Sequence, residues 1–284
     1  MGRRGMLLFV ALGVMWGLPY FMIRVAVRQL DPGALVMART LPAALLLLPM
    51  AWRRGALASL KGRLRWVLAY TVIEFGIPWL LMSTAEQHLA SSLTSLIVCA
   101  TPLLAIAATR LTAHHEVVSG RRWMGLGLGS LGVLLLVGLS LGHVNLLSVV
   151  SMMFVALGYA VGPLILRYRL ADASGLAVVA VSTAFVAVVY APWGLSHWPA
   201  HATGETWGAV AILAFVCTAG AFLTFFALIQ RVGPQRAVVV TYVNTALAVI
   251  LGVVFLHEPL TAGILVGFPL IVAGSALATS RARA

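Results

Sequence analysis

Residues 115–132, HEVVSGRRWMGLGLGSLG, and residues 257–274, HEPLTAGILVGFPLIVAG, read as one segment written twice. Offset by 142 places, His115 falls on His257, Glu116 on Glu258, Gly125 on Gly267 and Gly132 on Gly274. An offset of 143 further upstream sets Trp16 on Tyr159 and Arg24 on Arg167. The 284 residues therefore divide into two copies, 1–142 and 143–284.

What lies between these markers is apolar. The chain is 62% hydrophobic and 9% charged, with a mean hydropathy of +1.03, whereas soluble domains carry about 25% charged residues. So little polar cover excludes a soluble fold. Crossing the hydrocarbon takes about 20 apolar residues in a helix, and ten stretches fit: 6–27, 33–51, 66–85, 90–111, 122–141, 145–166, 175–195, 207–229, 235–256 and 261–279. Helices keep every backbone group paired in lipid. The fold class expected is an all-α membrane protein of ten transmembrane helices in two five-helix repeats. Five is odd, so the second repeat enters the membrane upside down, an arrangement that places a site at mid-membrane between the halves. The amino-terminal run contains Trp16 and Pro19 and shows no clear cleavage site, so it reads as a retained span.

Charge orients the bundle. Of 19 basic residues, 16 lie at the amino terminus, the carboxyl terminus or the even-numbered loops: Arg3, Arg4, Arg53, Arg54, Lys61, Arg63, Arg65, Arg110, Arg121, Arg122, Arg167, Arg169, Arg231, Arg236, Arg281 and Arg283. By the positive-inside rule both termini are cytoplasmic and the chain belongs in the plasma (inner) membrane. The net charge of +12 is spread over short loops, so it does not indicate nucleic-acid binding. Cys99 and Cys217 lie inside apolar runs and read as small core residues. No cofactor, metal or ATP motif is present.

The chain resembles the EamA-like branch of the drug/metabolite transporter superfamily. The resemblance rests on MWGLPYFMIR in span 1, the early arginine of VMARTLPA in span 2, SSLTSLIVCATPLLAIAATRLTAHHE through span 4, and GLGLGSLGVLLL in span 5. It implies a carrier of small metabolites, often an exporter and in some members of amino acids, with a cavity lined by spans 1, 3, 4, 6, 8 and 9. Glu74 is not a feature of the family at large.

Glu74 sits in TVIEFGIPWLLM (71–82), eight residues into span 3 and so about 12 Å along it. A mid-membrane carboxylate costs about 2.5–3.5 kcal/mol on insertion scales and should face protein or water. Pro78 lacks an N–H, which is expected to free the Glu74 carbonyl. Carboxylate and carbonyl together suit an ammonium or a coupling proton; the structural alternative is an ion pair with Arg39. Arg39, followed by Pro42, can instead hold a substrate carboxylate. Trp79, five residues beyond Glu74, points to another face.

Trp16 and Tyr20 share a face around Pro19, and Tyr159 with Pro163 holds the matching place in the second copy, as pocket walls, gates or ordinary packing. Thr241, Asn244 and Thr245 form a polar face on span 9, matched by Ser95, Cys99 and Pro102 on span 4; such faces glue helices or line a water path. Glu86 and His88 are expected to be solvated. His115–Glu116 and His257–Glu258 read as turn and cap residues. Gly125/Gly129 and Gly263/Gly267 permit close helix packing, within the bundle or in a dimer.

The leading reading is a secondary transporter working by alternating access around Glu74, Trp16 and Tyr159, with lipids and a small molecule as partners, as monomer or homodimer. An integral enzyme acting on lipids would need clustered acids or a His/Asp/Ser set near an interface. A channel or scaffold is the third reading, and a channel would show a longer polar stripe.

Overall fold

The computed structural model describes residues 2–110, 120–138, 145–232 and 240–279. His115 and Glu116 lie outside them. Within the described residues the chain forms helices and no strand. We number the ten apolar helices α1 (Arg3–Ala26), α2 (Pro32–Arg53), α3 (Leu64–Ala85), α4 (Ser91–Val98 and Thr101–Arg110), α5 (Gly120–Gly138), α6 (Leu146–Arg169), α7 (Gly175–Ser196), α8 (Gly204–Arg231), α9 (Val240–Phe255) and α10 (Ala262–Thr279). They match the ten spans read from the sequence. Six of them run 22–28 residues, long enough to cross a membrane.

The turns carry their own start signals. Asp31 accepts from Gly33 N at 2.8 Å and precedes Pro32, the first residue of α2. Asn145 and Thr203 cap α6 and α8 in the same way. Helix α4 breaks at Cys99–Ala100 and restarts at Thr101. Pro102 then falls in the first turn of the new segment, where its missing N–H has no helical partner to lose.

The two repeats are inverted. In α5 and α10, which are equivalent, a Cβ on Gly132 would meet Gly267 O at 2.9 Å and Ile271 N at 2.8 Å. One on Gly274 would meet Gly125 O at 2.7 Å and the Gly129 Cα at 2.6 Å. Early residues of α5 thus meet late residues of α10, so the helices run antiparallel. Moving the first set of contacts by the 142-residue offset produces the second set, as a twofold axis requires. Helices α2 and α7 also meet end to start, Gly33 against Trp193, and α4 and α9 run antiparallel, Ser91 near Gly252 and Ser95 near Thr245. Gly125, Gly129, Gly263 and Gly267 are buried and pack within the bundle.

The inversion extends to irregular backbone. Helix α3 widens to π geometry over Val72–Gly76 and α8 over Ile212–Gly220. The offset places 72–76 on 214–218, inside the second segment. Such π-bulges often mark functional sites.

Candidate functional site

The α3 bulge carries Glu74. Ile77 N donates to Val72 O, five residues back. In that register Pro78, which has no N–H, stands opposite Ile73, one residue before Glu74. Gly158 of α6 lies directly on Ile73 O, and Gly162, one turn on, lies on the Glu74 carboxylate. Glu74 thus points at the opposite repeat. Its Oε2 is shut from solvent and has no hydrogen-bond partner.

Arg39 is buried, 3% exposed. It does not pair with Glu74; among the described residues the ion pair found is Arg63–Asp172, 3.0 Å, near the end where α1 begins. Arg39 donates to Thr218 Oγ1 at 3.1 Å, and its guanidinium lies over the Trp79 ring, 3.9 Å from the centroid. Its Nε is buried without a partner. Thr218 belongs to the α8 bulge and donates in turn to Leu213 O, five residues back, at 2.8 Å. Trp79 packs under the Arg39 guanidinium.

The bulges are held in related ways. Arg39 of α2 reaches the α8 bulge, and Tyr190 of α7 donates to Gly76 O of the α3 bulge at 3.0 Å. Helices α2 and α7 are equivalents, so each bulge is tied to the other repeat through a polar side chain.

Trp16 and Tyr159 do not stack on each other. Trp16 packs edge-on to Phe222, centroids 5.8 Å apart, and against Phe225 at 4.9 Å. Tyr159 lies beside Trp79 and has both Glu74 and Arg39 as electrostatic neighbours. The 143-residue offset carries Trp16 to Tyr159 and Trp79 to Phe222, so these are one contact made twice. Tyr20 is buried and neighbours Tyr159. Pro19 and Pro163 lie inside unbroken helices.

The polar face of α9 joins helices. Thr245 Oγ1 donates to Thr241 O at 2.9 Å and approaches Ser95 O of α4 at 3.5 Å. Asn244 is 7% exposed, and its carbonyl lies against Gly17 of α1. Ser95 donates to Ser92 O at 2.7 Å.

At the far end of the bundle, Glu258 caps a helix, but not the one it precedes. Its oxygens accept from Ser91 N (2.7 Å) and Ser92 N (2.9 Å), at the start of α4. Glu86 corrects the sequence reading: it has no accessible surface. An acid at the end of a span looks solvated in one dimension, but here α1 and α4 close over it. His88 is exposed.

Sequence reasoning missed Thr218, Tyr190, Glu86 and the α6 glycines. Gly158 and Gly162 form a small-xxx-small pair that was legible in GYAVG. Thr218 is one hydroxyl in an apolar run, and nothing local distinguishes it. Among the described residues no three His, Cys, Asp or Glu side chains gather as a metal site.

The comparisons agree with this geometry. YvbV of Bacillus subtilis (strain 168), described as an uncharacterized transporter, is 25% identical over 288 residues, spanning 99% of this chain and 93% of that protein. A solved crystal structure at 17% identity superposes with a TM-score of 0.69 over 97% of this chain and 96% of its own; at that identity it speaks for the fold. The EamA-like transporter family matches residues 3–138 and again 146–280, once per repeat. The chain belongs to the EamA-like transporter family, as a multi-pass membrane protein of ten helices in two inverted repeats.

Proposed function

We propose that this membrane transporter is a secondary carrier that exports amino acids or related amines by alternating access. The halves 1–142 and 143–284 rock about the α3 and α8 bulges. The chain lies in the plasma membrane with both termini in the cytoplasm, following its basic loops. The observation that carries the reading is Glu74: a carboxylate oxygen, buried and unpartnered, on a π-bulge at the contact between inverted repeats. A carboxylate oxygen shut from solvent and lacking a donor calls for an ammonium or a proton.

Arg39 favours an amino acid over a simple amine. It is buried, its Nε is free, and it has no carboxylate partner among the described residues. Tyr159 neighbours both charges. A ligand bearing ammonium and carboxylate would neutralise both, with Trp79 and Tyr159 as its apolar walls. Glu74 is also the candidate for carrying a coupling proton between turnovers.

Purified protein in proteoliposomes tests this. Saturable counterflow of labelled amino acids is expected, with thermal stabilisation by the same compounds. Glu74→Gln should abolish the pH dependence of flux. Transport by Glu74→Gln with unchanged pH dependence and proton flux refutes the coupling role; stabilisation by organic acids alone moves the anchor from Glu74 to Arg39.

A further inference from the structure

Glu86 closes α3 at the far end and has no accessible surface. Its Oε1 accepts from the Thr94 hydroxyl of α4 at 3.1 Å, and its Oε2 is buried without a partner. The nearby cations are engaged elsewhere. Arg24 of α1 donates to the Glu86 main-chain carbonyl, at the negative end of the α3 dipole. Arg39 of α2 is held by Thr218 and Trp79. Neither makes an ion pair with the Glu86 carboxylate. The other ionisable groups around it are the Tyr20 phenol of α1, the Tyr159 phenol of α6 and Glu258, which precedes α10.

Glu86 and Glu258 come from opposite repeats. Glu258 receives two backbone N–H bonds, one on each oxygen, so both its oxygens already have donors. Glu86 Oε2 has no donor and no solvent, so of the two acids Glu86 is the one with a free buried oxygen to take a proton. The hydroxyls of Ser91 and Ser92 are also buried without partners in this region. A metal cation would require several converging oxygens, whereas a proton requires the single free Oε2.

We propose that Glu86 is a proton-binding site at the far end, filled while the two repeats are closed over the start of α4 and emptied when they part. This rests on the alternating-access reading and adds where the closed end holds its proton. Parting the repeats breaks the bonds from Ser91 and Ser92 to Glu258 and wets Glu86. Once ionised, Glu86 repels Glu258 and resists reclosure. The closed state therefore binds the proton more tightly, acid favours closure and alkali favours opening. One proton limits the change to about tenfold in the closed-to-open ratio per pH unit.

The test is a spin-label distance across the far end, needing neither substrate nor transport. Labels go on His88→Cys and Leu260→Cys, both exposed positions, in a full-length chain carrying Cys99→Ala and Cys217→Ala, in nanodiscs. The labelled parent should shift from a short to a long distance as pH rises. Glu86→Gln, which cannot ionise, should stay short throughout. Glu86→Asp should keep the response with a displaced midpoint, and it also serves if Glu86→Gln does not fold. A pH-invariant parent, a Glu86→Gln chain that responds like the parent, or a pH-invariant Glu86→Asp overturns the proposal. So does sodium at fixed pH closing the gap as acid does, which would assign a metal cation. Loss of substrate counterflow with the distance response intact would sink the transport reading and leave this one standing.

Discussion

The Glu74 carboxylate of α3 lies against Gly162 of α6, in space open only because Gly162 has no side chain. The residues belong to opposite repeats, so this contact joins the two halves at the bulge. Backbone and carboxylate approach there without a partner for Oε2.

Gly162→Ala should therefore destabilise the protein by about 1–3 kcal/mol, the usual range for overpacking a fitted site. Glu74→Ala in the same chain should recover part of the loss. Thermal unfolding of the two single variants and the double variant gives the coupling energy, expected at about 0.5–3 kcal/mol for residues in contact. Additive effects would mean the contact is not made.

Arg39→Lys keeps a charge but loses the flat guanidinium that covers Trp79 and reaches Thr218. The stacked cation accounts for about 0.5–2 kcal/mol. Arg39→Lys should lower thermal stability by about that much, and Thr218→Val, which removes the hydroxyl and its bond to Leu213 O, by about 1 kcal/mol. A lysine chain as stable as the parent would show that the stack contributes nothing.

Gly132→Val and Gly274→Val should fail alike. Each introduced Cβ would lie within 3.0 Å of main-chain atoms of the partner helix, and backbone cannot step aside as a flexible side chain can. Size-exclusion profiles and unfolding temperatures should fall together, since the sites are equivalents across the axis. Gly127→Val is the control, because a Cβ there meets nothing within 4 Å.

Glu258→Ala should remove the two bonds that cap α4, a loss of about 0.5–2 kcal/mol for a helix cap. Glu258→Gln keeps one carbonyl acceptor and should fall between. The effect should appear as faster hydrogen exchange at the start of α4, measured by mass spectrometry. No change in exchange there would mean that another group supplies the cap.

The ten helices, the inverted halves and the equivalence of Gly125 with Gly267 and of Gly132 with Gly274 followed from the sequence. Each rests on a one-dimensional property: apolar length against membrane thickness, odd span number per copy, and residues recurring at a fixed offset. The partners of the polar residues did not follow. Glu86 looked solvated because its burial comes from α1 and α4 closing over a helix end. An Arg39–Glu74 ion pair stood as the structural alternative because opposite charges on neighbouring spans attract. Their directions are set instead by helix rotation and by the π-bulges, which shift the backbone register within a turn. That rotation depends on how ten helices pack at once: α8 brings Thr218 to Arg39, and α6 brings Gly162 to Glu74. Hydrophobic matching to a bilayer acts along each helix and is legible in the string. Which way a side chain faces around the helix is decided only when the neighbours are in place.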